Sequence, residues 1–327
     1  VKTARRPRLR LDNHLDGGGS TLADDVLAGL TSPAKELPPK HLYDPRGQEL
    51  YELICALPEY YPTRSERLIL EGQGARLAAL TGAEELLELG AGSARKTVLL
   101  ADALCAGGTL RRYLPVDISP SYVEEAARRL GDRHPSLELH GVVADLERHL
   151  DRLPAAAGRR LVAFLGSTIG NLKPPQRLRF LRAAGALAGE EGVLLIGYDL
   201  LKDRRTLLAA YDDSRGVTAA FNLNLLAVVN RELEADFNLD RFCHVARFDE
   251  SNGWVEMRLR SLRDQTVRIP PLGLEVRFEA GEELRTEVSA KFSRAQVIGE
   301  LAASGLGLKA WLTDPRRRFA LAVAAPA

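Results

Sequence analysis

From Glu85 to Tyr198 short apolar runs alternate with amphipathic stretches, the rhythm of strand and helix in a parallel sheet. Five strands are predicted, at Glu85 to Leu89, Arg112 to Val116, Leu137 to Val143, Leu161 to Leu165 and Val193 to Tyr198. They are apolar throughout rather than alternating, as expected of strands covered on both faces. The helices between them have readable ends. Ser119-Pro120 supplies an N-cap and a proline at the first helical position, with Gly131 as the stop after Leu130, and Pro174-Pro175 opens a helix to about Gly189. After Tyr198 the period changes. Residues 200–240 read as helices joined by the polar Asp212-Asp213-Ser214-Arg215-Gly216. Val255, Met257 and Leu259 then alternate with Glu256, Arg258 and Arg260, and Leu274, Val276 and Phe278 with Glu275, Arg277 and Glu279, which predicts two half-exposed antiparallel strands. Ser293-x-x-Gln296 is a capping box opening a helix to about Ser304. Leu308 to Leu312 and Phe319 to Val323 form a terminal hairpin around Asp314-Pro315, closing a seven-stranded sheet.

Ahead of this block, Leu22 to Gly72 is helical in pattern but interrupted by Pro33, Pro38-Pro39, Pro45, Pro58 and Pro62, and it holds Tyr43, Tyr51, Tyr60 and Tyr61. Residues 1–20 run from Arg5-Arg6-Pro7-Arg8 into Gly17-Gly18-Gly19 and read as a flexible tail. The expected organisation is α/β: a Rossmann-like domain of residues 65–199 and 292–327, and a smaller α+β substrate-binding domain of residues 21–64 and 200–291.

Composition narrows the chemistry. The chain has 327 residues, and 45 Lys+Arg against 44 Asp+Glu give it no overall field for nucleic acid or anionic lipid. No run approaches the roughly 20 apolar residues of a spanning helix, and no apolar signal core follows the basic N-terminus, so a cytoplasmic protein with a small-molecule substrate is expected. Cys55, Cys105 and Cys243 lack a C-x-x-C spacing and the six histidines lack H-x-x-x-H or H-x-H, so neither a disulfide framework nor a metal site is expected.

The stretch Leu86-Leu87-Glu88-Leu89-Gly90-Ala91-Gly92-Ser93-Ala94-Arg95-Lys96 is strand, two-glycine turn and helix start, the pattern of a nucleoside-like cofactor site. A dinucleotide fingerprint wants a third small residue where Arg95 stands, which disfavours a pyrophosphate cradle. S-adenosylmethionine, which has no phosphate, needs only a close backbone approach and polar partners. Ligands of open sheets sit beyond the strand ends, where Gly90, Gly92, Asp117, Asp145 and Gly166-Ser167-Thr168 fall. Asp117, 27 residues after Gly90, can accept from both ribose hydroxyls. Asp145 is placed for the adenine edge with Leu146 against the ring, and Lys96 for the cofactor's carboxylate. Taken singly, either acid is as readily the N-cap of the next helix. The ordered set favours a Rossmann-like methyltransferase over a dehydrogenase.

Leu57-Pro58-Glu59-Tyr60-Tyr61-Pro62-Thr63-Arg64, Phe164-Leu165-Gly166-Ser167-Thr168-Ile169-Gly170-Asn171-Leu172, Ala210-Tyr211-Asp212-Asp213 and Thr286-Glu287-Val288-Ser289-Ala290-Lys291-Phe292 resemble the histidine Nα-methyltransferases of ergothioneine biosynthesis. The likeness runs from about Leu22 onward. It implies a class I methyltransferase sheet plus a substrate domain, acting as a monomer that trimethylates the α-amino group of L-histidine to hercynine. It also implies S-adenosylmethionine at Gly90, Lys96, Asp117, Asp145 and Leu146, where the family has phenylalanine in place of Leu146. The amino and carboxylate groups of histidine would lie near Tyr60, Gly166, Asn171 and Tyr211, and its imidazole against Glu287 and Ser289 with Met257 in the wall. Tyr43 matches a tyrosine close to the reacting amine, which with Asn171 forms the expected catalytic pair. Faces of Tyr43, Tyr51 or Phe221 would favour a quaternary product by cation–π contact. Without the likeness, Tyr60 and Tyr211 read equally as core tyrosines and Glu287 as a solvated strand residue. Two other readings stay open: an N-methyltransferase of another amino acid such as a tryptophan derivative, and a cofactor-binding module without turnover.

Overall fold

The computed structural model describes residues 9–15 and 21–327. Its strands in chain order are β1 (Leu9–Asn13), β2 (Glu85–Leu89), β3 (Arg112–Asp117), β4 (Glu138–Val143), β5 (Arg160–Phe164), β6 (Val193–Asp199), β7 (Phe242–Asp249), β8 (Trp254–Ser261), β9 (Gln265–Ile269), β10 (Leu274–Phe278), β11 (Glu283–Ala290), β12 (Leu306–Thr313) and β13 (Phe319–Pro326). The chain divides into two compact units, Val1–Gly19, Pro62–Leu200 and Phe292–Ala327 forming the first, Ser20–Tyr61 and Leu201–Lys291 the second.

The first unit is built on one sheet of order β1-β4-β3-β2-β5-β6-β13-β12. Strands β1 to β6 pair in parallel, and β13 runs antiparallel to both β6 and β12. The order reverses between β2, whose next strand lies on one side, and β5 on the other, which makes the C-terminal end of β2 the topological switch point. Every residue of β2, β5 and β6 is buried, as the continuous apolar runs require. The core joins Leu86, Leu161 and Leu195 of the strands to Ile69 and Leu77 of helix Tyr61–Thr81 and to Leu100 and Leu104 of helix Thr97–Ala106.

Four details differ from the sequence expectations. The sheet has an eighth strand, because part of the expected tail is β1: it pairs with β4 in parallel, and Asp12 meets the buried His140 at 2.7 Å. The remainder of that tail, residues 1–8 and 16–20, lies outside the described residues. Helix Pro120–Arg133 continues through Gly131, which is buried on its inner face, and closes where the His134 N–H reaches the Leu130 carbonyl. Ser119 makes no side-chain cap bond there; its hydroxyl pairs with that of Ser121 instead. Helix Arg294–Ala302 keeps only half of the expected capping box, since Ser293 accepts the Gln296 N–H while the Gln296 amide turns to Glu300.

In the second unit Pro39 and Pro45 start elements, while Pro33 and Pro58 lie in bends. Pro45 stands at the first turn of helix Pro45–Ala56, and Asp44 caps it by accepting the Gly47 N–H at 2.8 Å. The polar Asp212 to Gly216 link is a cap as well: Asp213 accepts the N–H groups of Val217 and Thr218 at the start of helix Val217–Leu233. That helix buries Phe221, Leu225, Leu226 and Val229 in a core with Leu50, Ile54 and Met257. Strands β11, β8 and β7 form an antiparallel sheet in that order, with β9 and β10 a separate hairpin. Strand β8 is less exposed than its alternation predicts. Glu256 is buried because Arg258 and Arg285 both pair with it.

Candidate active site

At the end of β2 the chain turns on Gly90, Gly92 and Ala94, whose φ values of 67°, 50° and 52° lie in the left-handed region. Glycine at the first two makes the turn inexpensive. A Cβ on Gly90 would meet Leu146 and Phe164 at 3.9 and 3.8 Å, so this bare backbone faces the side chain expected against adenine. Asp117, at the end of β3, accepts the Gly92 N–H through one oxygen and the Ser119 N–H through the other, both at 3.0 Å. The glycine turn thereby aims the acid expected to hold a diol, and each oxygen keeps a lone pair for it. Burial raises the Asp117 carboxyl above its usual range, and the backbone N–H groups of Ser119, Gly92 and Ile118 oppose that rise. Asp145, after β4, is half-buried and accepts the Glu147 N–H at 2.9 Å, so part of its bonding goes to its own turn.

Lys96 has a partner that the sequence reading missed. Its ammonium pairs with Glu66, a fully buried acid on helix Tyr61–Thr81. Both Glu66 oxygens also accept the Gly166 N–H, at 2.9 and 3.0 Å. Gly166 and Ser167, with φ of 78° and 59°, form a left-handed corner after β5, and the Ser167 hydroxyl accepts the Asp199 N–H at 2.8 Å. The corner leads into a turn of helix at Thr168–Asn171 that ends on a half-buried Asn171, whose amide bonds no described residue. Glu88, the second of two acids in β2, accepts from the Thr97 and Tyr113 hydroxyls, and burial pushes its carboxyl up to about 7.

The second unit gathers its own set. Rings of Tyr43 and Tyr51 meet edge-on at 5.4 Å, Tyr43 and Phe221 at 5.5 Å, and Tyr60 and Tyr211 at 6.5 Å. Burial holds the Tyr60 phenol well above its ordinary range, and the neighbouring Tyr60 does the same for Tyr51, so both stay neutral. Glu287 stands opposite Met257 across β11 and β8, just past a bulge between Arg285 and Glu287. A bulge re-aims the residues that follow it, and here it sends Glu287 and Ser289 to one face while Thr286 is buried on the other. Burial pushes the Glu287 carboxyl up to about 7, with the Lys291 ammonium pulling it down. Ser289, 4% exposed, meets the Tyr211 hydroxyl at 2.7 Å. Lys291, 1% exposed, donates to both, at 2.7 Å to Ser289 and 2.8 Å to Tyr211. The Tyr211 backbone is pinned in turn: His244 donates from Nε2 to the Tyr211 carbonyl at 2.8 Å and accepts the Asn222 amide at Nδ1 at 2.9 Å. Burial lowers His244 and keeps it neutral.

Sequence reading passed over Glu66, Lys291 and the Asn222–His244 pair. Lys291 was within reach, since it continues the period of two from Glu287 and Ser289. Nothing local distinguishes Glu66, whose partners stand 30 and 100 positions away.

A parallel sheet of this order, with an antiparallel closing hairpin and the glycine turn at its switch point, is that of the class I methyltransferases. The chain belongs to the histidine-specific, S-adenosylmethionine-dependent methyltransferase family, whose model matches residues 22–326. It is 48% identical to a histidine N-alpha-methyltransferase of Mycolicibacterium smegmatis and 47% to one of Mycobacterium tuberculosis, each alignment covering 97% of this chain and 99% of the relative. An ergothioneine biosynthesis protein 1 of Neurospora crassa is 28% identical over 83% of this chain and 31% of its own length.

Proposed function

We propose that the protein trimethylates the α-amino group of L-histidine with S-adenosylmethionine to give hercynine, the first step of ergothioneine biosynthesis. The observation that carries this reading is the 48% identity to a histidine N-alpha-methyltransferase along nearly the whole of both chains. In it, the unit built on Ser20–Tyr61 and Leu201–Lys291 is the substrate domain and the other unit holds the methyl donor.

When bound, S-adenosylmethionine supplies a methyl group on a sulfonium centre. The residues fit it: Gly90 offers bare backbone beside Leu146, and Asp117 is a buried acceptor already oriented by two N–H groups. Asp145 takes the adenine edge. Lys96, neutralised by Glu66, serves the carboxylate end without presenting a naked cation near a sulfonium.

In-line transfer needs the amine lone pair aimed at the methyl, so orientation is the main task. Asn171 suits it, since its uncommitted amide offers donors and an acceptor to an amino acid. Tyr60 stays a neutral phenol and binds carboxylate as a donor, while Tyr43 flanks the amine. Glu287 accepts an imidazole N–H, Ser289 bonds the other ring nitrogen and Met257 packs the ring. Against leucine or phenylalanine the site would leave its polar pair unanswered, a penalty of several kcal/mol. Incubation of the purified protein with S-adenosylmethionine and histidine, tryptophan or tyrosine, read by mass spectrometry, tests the reading. Three successive methyl gains on histidine are expected; no gain on histidine refutes it.

A further inference from the structure

Lys291 is an ammonium sunk into the second unit, with donors only and no lone pair. Two of its hydrogens go to the hydroxyls of Ser289 and Tyr211, which also touch each other at 2.7 Å. The same ammonium lies 4.6 Å from the Tyr211 ring centroid, so it is held by the ring face as well as by the oxygens. This triangle restricts what the hydroxyls can do. A serine hydroxyl has one proton and two lone pairs and ordinarily rotates to suit its partner, donating or accepting as required. Here one lone pair of Ser289 is taken by Lys291. The phenol is the more acidic of the two hydroxyls and is the natural donor between them, which takes the second lone pair. What remains of Ser289 is its proton.

We propose that Lys291 is a positioning residue for substrate choice: by donating to Ser289 and Tyr211 together, it commits the Ser289 hydroxyl to donate, so that the site demands a ring nitrogen with a lone pair. The inference rests on histidine being the substrate and says how the ring is read. Glu287, two residues before Ser289 on the same face, is the complementary acceptor for a ring N–H. Lys291 also draws the Glu287 carboxyl down against its burial, which pushes it up to about 7. An imidazole satisfies a fixed donor and a fixed acceptor at once. A pyrrole or an indole offers an N–H but no lone pair, and meets the Ser289 proton with nothing. Without the ammonium, Ser289 regains its rotation and the demand for a lone pair lapses.

The test is calorimetric, with S-adenosylhomocysteine bound and two ligands compared: histidine, and an analogue whose ring is a pyrrole, keeping one N–H and replacing the second nitrogen by carbon. Wild-type protein is expected to prefer histidine. Lys291→Met should shrink that preference by roughly 10- to 100-fold, the equivalent of one buried hydrogen bond left unmade, and Lys291→Arg should restore part of it. S-adenosylhomocysteine affinity, measured alone, should stay within about twofold of wild type, since the residues proposed to hold it belong to the other unit. A purely structural lysine would weaken both ligands alike and leave the ratio unchanged; that result overturns the inference while the histidine reading stands. Where Lys291→Met fails to fold, Ser289→Ala must shrink the ratio in the same way, and an unchanged ratio in that variant is equally fatal. Absence of any histidine methylation by wild-type protein would remove the reading on which the inference is built, and overturn both.

Discussion

Glu287 carries the clearest chemical signature of any single residue in the second unit. Its carboxyl is pushed up to about 7 by burial, so it is protonated below that pH and ionised above it. Only the ionised form accepts from an imidazole N–H on both oxygens. Ionisation of Glu287 is therefore expected to add a fall of about tenfold per pH unit in histidine kcat/KM below about 7, on top of the limb set by deprotonation of the substrate amine. In Glu287→Gln that added fall should vanish; a fall that persists in the variant belongs to another group, the substrate imidazole included. At this scale the sequence showed residue types and little of their state. Asp117 and Glu287 could be singled out as acids, but only their surroundings distinguish them: Asp117 is tied to two backbone N–H groups, whereas the Glu287 carboxylate bonds no described residue.

At the scale of elements, periodicity and caps located β2 to β6 to within a residue or so, because strand and helix periods are local properties of the chain. Failures occurred where an element depends on a distant partner. Strand β1 exists because β4 offers it an edge, and helix Pro120–Arg133 outlasts Gly131 because that glycine packs inward. Gly197 on β6 shows such a dependence directly. A Cβ there would stand 2.4 Å from a Glu66 oxygen and 3.0 Å from the Phe319 ring, so glycine lets the strand lie against the helix that carries Glu66. Gly197→Ala is expected to destabilise the protein by about 1–3 kcal/mol. It should also weaken S-adenosylhomocysteine binding by displacing the Glu66–Lys96 pair. A wild-type melting temperature and affinity in this variant would refute that coupling.

For the whole molecule, the chain divides into two units, each with its own core, and the proposed function, which assigns one to the substrate and the other to the methyl donor, expects mutation to separate the two. Glu287→Ala is expected to raise the histidine KM by roughly 10-fold or more, on the scale of a charged hydrogen bond lost, while S-adenosylhomocysteine affinity stays near wild type. Equal loss of both would contradict the assignment of Glu287 to substrate.

The sequence by itself determined the parallel sheet, its helices, the two-glycine turn and the acids that follow β3 and β4, since each is written in residues close together in the chain. Through a likeness spread over four separate stretches, it also indicated the family. The tertiary structure alone decided which groups are paired. Glu66 was brought to Lys96 and Gly166 from 30 and 100 positions away, and Lys291 to Tyr211 from 80. Local pattern records burial and periodicity. It does not record where a hydroxyl proton points or whether a carboxylate is ionised, because those depend on every donor and charge that folding gathers around the group.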